Sequence, residues 1–443
     1  KRAKYLEQWQ TNVDEIFSEA NLNKLEAAFG KKYRKALENS LQRMKSGRNR
    51  SFSDDSLTGK FTDWLNGSIG VTMFFNTRSA LLQTLSSVNF VNFSDNNPLK
   101  AAKAFGNQKQ YWKDFKYLMN SDFLKERRGG LRMNVNEADI AEAANKNGPR
   151  GVINKLLQFG FTPTQIADSF AIASGGATFY RNRIKTYEKQ GLSKAEAETK
   201  AFEDFRETAE ESQQSARPDR ISMQQAGPLG RPILAYGNTP AQYVRLTDKA
   251  IKDLKAGRGD AKTNISKIIY YTTVQNLIFN SLQQGLFAIA FGEADVDDEK
   301  YEKKYIDVAN GMADSILRGT GVGGAAVSVG KNAIIRIMRE QEKKMPKLEK
   351  VGYELTKISP PVSSKLSKIN QAARSYQWDK DEMLSKGFSI DNPAYLASAN
   401  VIAATTNVPL DRAIKKVNNV IAATEADAEL WERLALMGGW PEW

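Results

Sequence analysis

The sequence predicts an all-α fold, and three observations carry this; the multi-helix assembly is expected to be elongated and a fragment of a larger polypeptide. Apolar residues recur at three- and four-residue spacing over long stretches. Helix-start signals of the Ser/Thr-x-x-Glu/Gln or Thr-Pro kind recur along the chain. β-branched alternation is rare, and Asn66-Gly67 and Asn147-Gly148 lack strand-like flanks.

The elements follow in order. Lys4 to Glu19 and Leu22 to Met44 read as two helices; in the second, Leu22, Leu25, Phe29, Tyr33, Leu37, Leu41 and Met44 lie mostly three or four apart. Ser46-Gly47-Arg48 closes the pair with glycine and basic charge, as a helix C-terminus should, and Ser51 to Lys60 reads as a polar loop. Thr162-Pro163-Thr164-Gln165 has the form of a helix start, and Thr239-Pro240-Ala241-Gln242 repeats it. Ser193 to Glu196 is a capping box that opens an exposed, charged helix from Lys194 to Ser212. Arg217-Pro218-Asp219 and Gly227 to Pro232 read as links. The resulting division is an N-terminal helical pair (1–50), a region with an uncharged tract and a basic, aromatic segment (51–150), a capped-helix domain (151–265), an uncharged helix with a glycine-rich hinge (266–345) and a C-terminal helical region (346–443).

Charge is unevenly spread. Arg78 is the only charge between Asp63 and Asp95, and none lies between Lys267 and Glu293. A bilayer span needs about 20 mostly apolar residues. The 268–291 tract has that length, with Ile268, Ile269, Leu286, Phe287, Ile289 and Phe291 as its apolar contribution, but Gln275, Asn276, Asn280 and Gln283 interrupt it. Two readings stand: a core helix expected to be mostly buried, or a conditional membrane helix hidden until released.

The 443 residues carry a net charge of +13 and contain neither Cys nor His. The surplus favours polyanions. The missing residue types remove disulfides, thiolate metal sites, thiol nucleophiles and histidine bases, so surviving enzyme chemistry would rest on carboxylates, Lys or Tyr. No cofactor and no metal is expected. Gly321 to Ala326 fits a dinucleotide fingerprint only superficially, because the preceding stretch is helix-like. Gly324 to Asn332 is one residue too long for a phosphate loop. Glu293 to Glu299 lacks the glycine and closing glutamate of a calcium loop. Glu211-Ser212 with Ser222-Met223-Gln224 faintly matches the signatures of lytic transglycosylases, but Glu211 sits in a highly charged helix, a poor place to desolvate an acid. Lys109, Lys113 and Lys116, interleaved with Tyr111, Trp112, Phe115 and Tyr117 and followed by Arg127 and Arg128, suit contact with nucleic acid; aromatics at this spacing equally suit a core.

Several long stretches together carry a resemblance: Leu41 to Arg50, Asn76 to Gln83, Asn89 to Leu99, Ala171 to Arg183, Glu210 to Asp219, Gly257 to Asn264, and the tail from Trp431 to Leu436 with Gly439, Trp440 and Trp443. They resemble the helical region of the very large polyvalent virion proteins of tailed bacteriophages, crAss-like and short-tailed phages among them. The resemblance implies a non-enzymatic internal cargo protein, present in multiple copies and packaged in capsid or tail. It would be ejected with the genome into the host envelope or cytoplasm, contributing to a DNA-translocation conduit. Portal, tail or other virion proteins, DNA and the host membrane are the partners it implies. It carries over no catalytic residue. The alternative is a scaffold module that positions a neighbouring enzyme of the same giant chain. Lys1 and Trp443 read as cut ends.

Overall fold

The computed structural model describes residues 2–46, 61, 64–65, 80, 84–129, 150–212, 220–227, 230–234, 238–279, 310–341, 359–387, 392–426 and 429–439. These residues are 86% helical and include no strand, so the chain is all-α.

Three helices, not two, open the chain: α1 (Arg2–Ile16), α2 (Glu19–Phe29) and α3 (Lys31–Ser46). The stripe expected to run unbroken from Leu22 to Met44 is cut at Gly30, whose φ of 85° leaves the helical region. Periodicity survives a one-residue break, which is why spacing alone missed it. Arg34 ties the corner by reaching Glu19, Glu26 and Glu38 at 2.6, 3.1 and 2.9 Å.

The central core is built from a 3₁₀ segment (Thr84–Phe90) and five helices: α4 (Pro98–Gly106), α5 (Gln108–Met119), α6 (Asp122–Gly129), α7 (Arg150–Lys189) and α8 (Lys194–Ser212). The 40-residue α7 is its axis. The Thr162-Pro163 start expected from sequence is overturned, because α7 begins at Arg150 and runs through Pro163. A proline costs an interior turn one backbone hydrogen bond. A first-turn Thr-Pro and an interior one look alike locally, and long-range packing decides between them.

That packing is close. Gly175 and Gly176 let α7 approach its neighbours: a Cβ on Gly175 would fall 2.2 Å from the Ser87 carbonyl oxygen, and one on Gly176 would fall 2.3 Å from the Phe205 ring. Phe90, Leu118, Leu124, Ile172 and Phe205 have no more than traces of exposure around this contact. Burial of each such side chain is worth roughly 1.5–3 kcal/mol. A polar network threads the same core. Asn96, fully buried, donates to the Phe90 carbonyl (2.8 Å) and to Thr178 (3.1 Å), and accepts from Asn182 (2.8 Å). Two of the long stretches singled out in the sequence, Asn89 to Leu99 and Ala171 to Arg183, therefore pack against each other.

α8 has the bounds expected of it and the expected capping box: Glu196 accepts from the Ser193 N–H (3.0 Å), and the Glu196 N–H meets Ser193 Oγ (3.4 Å). It is not an exposed helix, however. Ala197, Ala201, Phe205 and Ala209 recur every four residues and bury one face. Small alanines between charges read as filler, and only the fit against α7 shows them to be the seam.

One-turn helices at Met223–Ala226 and Gly230–Ile233 lead to α9 (Asn238–Lys255), which opens at the predicted Thr239-Pro240, and to α10 (Ala261–Ile269), capped by Asp260. A π-helical turn (Tyr270–Val274) follows. Helical residues 310–319 then turn at Gly321 (φ 104°) into α11 (Val322–Gln341). Gly324 is the close contact of that turn, since a Cβ there would meet the Leu317 carbonyl oxygen at 1.8 Å.

The C-terminal helices are α12 (Pro360–Trp378), α13 (Lys380–Ser385), α14 (Pro393–Thr406), α15 (Leu410–Glu425) and α16 (Leu430–Gly438). The uncharged tract before Asp411 is α14, which buries Ala397, Ala399, Asn400, Ala403 and Ala404. α14 ends on Asn407 in the left-handed conformation (φ 60°), the one non-glycine residue with positive φ among the described residues.

Candidate functional site

α5 carries the basic, aromatic segment, and its two faces differ. Tyr111, Asp114 and Leu118 point inward; the Asp114 carboxylate takes both Arg181 Nε (2.8 Å) and Nη2 (2.5 Å) from α7. Lys109, Lys113 and Lys116 are all exposed, and their i, i+4, i+7 spacing sets them in one row on the solvent face. The row spans roughly 10 Å at 1.5 Å per residue. Trp112 and Tyr117 flank it at 51% and 53% exposure. Tyr117 is held by stacking on Tyr180 at 5.6 Å and by the edge of Phe202 at 6.0 Å. Trp112 is steadied by donation from its indole N–H to Gln108 (3.0 Å).

The structure takes Arg127 out of the predicted basic group. It is 3% exposed, and its guanidinium is spent on Asp168, Nε to Oδ2 at 2.5 Å. Arg128 is half-buried and donates to the Met119 carbonyl at 2.8 Å. Cations at the end of a helix look alike in sequence, and the partner of Arg127 lies 41 residues away.

An open groove of about 1060 Å³ lies beside the lysine row, between α5, α6 and α8. Its aromatic lining is Tyr117, Phe123 and Phe202. Its charges balance: Lys113, Lys116 and Arg206 stand against Asp122, Glu126 and Glu210. The groove is therefore no cationic channel; Lys113 and Lys116 belong both to it and to the row, and of the row Lys109 alone is not part of its lining.

The other sequence candidates resolve differently. Glu211 is half-exposed and accepts from Arg220 Nη1 at 2.7 Å, while Ser222 caps a short helix through a box with Gln225. Neither arrangement presents a desolvated acid. Lys331 and Asn332, of the glycine-rich stretch, are turned onto Asp314 at 2.9 and 2.6 Å. No group of three or more acidic side chains among the described residues is placed to hold a metal ion.

Of the 268–291 tract, Ile268 is half-buried and Ile269 is 54% exposed. Leu286, Phe287, Ile289 and Phe291, like the acidic run from Glu293 to Glu299, lie outside the described residues. Within its described part the tract is mixed: Tyr270, Tyr271, Gln275 and Asn276 are buried, whereas Ile269, Val274 and Leu277 are exposed. Gln275 donates to the Val91 carbonyl (2.8 Å), and Asn276 donates to the Tyr271 carbonyl (2.8 Å) beside the π turn. The amides are what the packing needs inside. No helix among the described residues is long and apolar enough to cross a membrane.

No family model matches the chain, no curated protein matches it, and no solved structure matches it.

Proposed function

We propose that the chain is a non-enzymatic helical module of an internal virion protein of a tailed bacteriophage, which meets the packaged genome and leaves the particle with it. The observation that carries the reading is the row of exposed Lys109, Lys113 and Lys116 beside half-exposed Trp112 and Tyr117, on a chain of net charge +13. Lysines neutralise phosphates and release counterions, and flat aromatic faces accept unstacked bases. The pairing of Glu211 with Arg220 removes support from the transglycosylase reading. The internal bonding of Gln275 and Asn276 favours a packed role over a bilayer role for that tract. The rival reading is a scaffold that positions a neighbouring enzyme and stays in the particle. Quantifying the chain by mass spectrometry in particles before and after ejection separates the two.

A further inference from the structure

We propose that Trp64 is a releasable cover over a cationic site built into the C-terminal helices, a site that takes DNA phosphate when uncovered. The geometry starts at the α14–α15 turn. Lys365 of α12 is 3% exposed, and its ammonium donates to the Ala404 carbonyl and to Asn407 Oδ1, both at 2.7 Å. The Trp64 ring lies over the same ammonium, 3.8 Å from nitrogen to ring centroid. Trp64 is itself pinned to the turn: its indole N–H donates to the Thr405 carbonyl at 2.6 Å, and its own carbonyl accepts from Asn407 Nδ2 at 2.9 Å. One residue, about 300 positions upstream, thus closes over a buried lysine through three contacts.

The charges behind the cover do not balance. One turn along α12, Lys368 pairs with Asp411 at 2.6 Å, and Arg412, Lys415 and Lys416 follow on α15. Lys416 is turned away onto the Met437 carbonyl, so among the described residues four cations (Lys365, Lys368, Arg412 and Lys415) stand with the one carboxylate of Asp411, and α14, packed between, contributes no charge. Elsewhere among the described residues, Arg127 with Asp168 and Arg181 with Asp114 are matched one to one, and Arg183 has two carboxylates, Asp95 and Asp204. Here Asp411, 1% exposed, leaves Oδ1 without a hydrogen-bond partner, and Arg412 Nε likewise has none. Burial pushes both Lys365 and Lys368 down to about 8, so ammonium charge at this site is held at a cost. An ammonium over an aromatic face recovers part of that cost only while the ring is in place. A phosphate would recover more, supplying anionic oxygens beyond the single Asp411 carboxylate that these four cations share.

The phosphate partner rests on the reading that the chain meets DNA; the cover itself does not. The full-length chain and its Trp64→Ala and Trp64→Leu variants are treated with limiting acetic anhydride, and acetylation is read by mass spectrometry at Lys365 against exposed Lys109. The same proteins are titrated into a labelled DNA duplex at low salt. Lys365 of the unmodified chain is expected to react at least tenfold more slowly than Lys109, both variants to abolish that protection, and both to bind DNA more tightly. Adding Lys365→Met should cancel the gain. Fast acetylation of Lys365 in the unmodified chain overturns the cover outright, as does continued protection in both variants. Exposed Lys365 with unchanged DNA affinity overturns the phosphate site. A gain of binding in the variants of a chain that otherwise ignores DNA sinks the α5 reading but leaves the cover standing.

Discussion

Arg127 of α6 and Asp168 of α7 form a buried ion pair, Nε to Oδ2 at 2.5 Å, whose side chains are 2% and 11% exposed. Removing one partner strands the other charge in the core, which typically costs about 3–5 kcal/mol. Asp168→Ala should therefore destabilise the chain by that order, whereas Lys109→Ala on the solvent face should change it by about 0.5 kcal/mol or less. Thermal or urea unfolding followed by circular dichroism checks both. Equal effects would mean that Arg127 is solvated after all.

Gly176 is a close helix-to-helix contact in the core, where α7 meets Phe205 of α8. Gly176→Ala gains about 1 kcal/mol of helix propensity but drives its methyl into the Phe205 ring, at a typical overpacking cost of about 1–3 kcal/mol. The expected outcome is net destabilisation that Phe205→Leu partly relieves. A stabilised Gly176→Ala, measured by the same unfolding transitions, would contradict the close approach.

Helical class was legible because spacing, caps and the lack of alternation agreed, and the capping boxes at Ser193 and the start at Thr239-Pro240 fell where local chemistry put them. What local chemistry does not contain was missed. Gly30 breaks a stripe whose period continues on both sides. Pro163 sits inside α7 because the packing of the whole helix outweighs one lost hydrogen bond. The lysine row on α5 was readable from spacing, but Arg127 needed the position of Asp168 to be recognised as internal. Trp64 and Lys365 carried no sequence signal linking them, since neither lies in a periodic or capped motif with the other.

Buried Lys365 and Lys368 give stability an unusual pH dependence. Lys365 faces Lys368 and the neutral Trp64 and Asn407; Lys368 faces Asp411, Arg412 and Lys415. Burial, the leading cause, lowers both lysines to about 8 from an ordinary 10.5, so between these values the unfolded chain binds more protons than the folded one. Stability should then rise with pH across that window, by at most about 3 kcal/mol per lysine. Unfolding at pH 8 and pH 10 tests this, with Lys365→Met expected to flatten the rise. Stability that falls between the two values, equally in both proteins, would contradict it.

Replacing Lys109, Lys113 and Lys116 by Gln should leave unfolding unchanged and weaken DNA binding at low salt. If all three contact phosphate, the slope of log affinity against log salt should shrink by up to about 3. Filter binding at several salt concentrations measures it, and an unaltered slope would place the DNA contact elsewhere.

The most direct test of the cargo role is quantitative mass spectrometry of purified virions before and after triggered ejection, normalised to a capsid protein. The chain is predicted to be present in filled particles and strongly depleted in emptied ones, along with the genome. Full retention in emptied particles, or absence from filled ones, would contradict it.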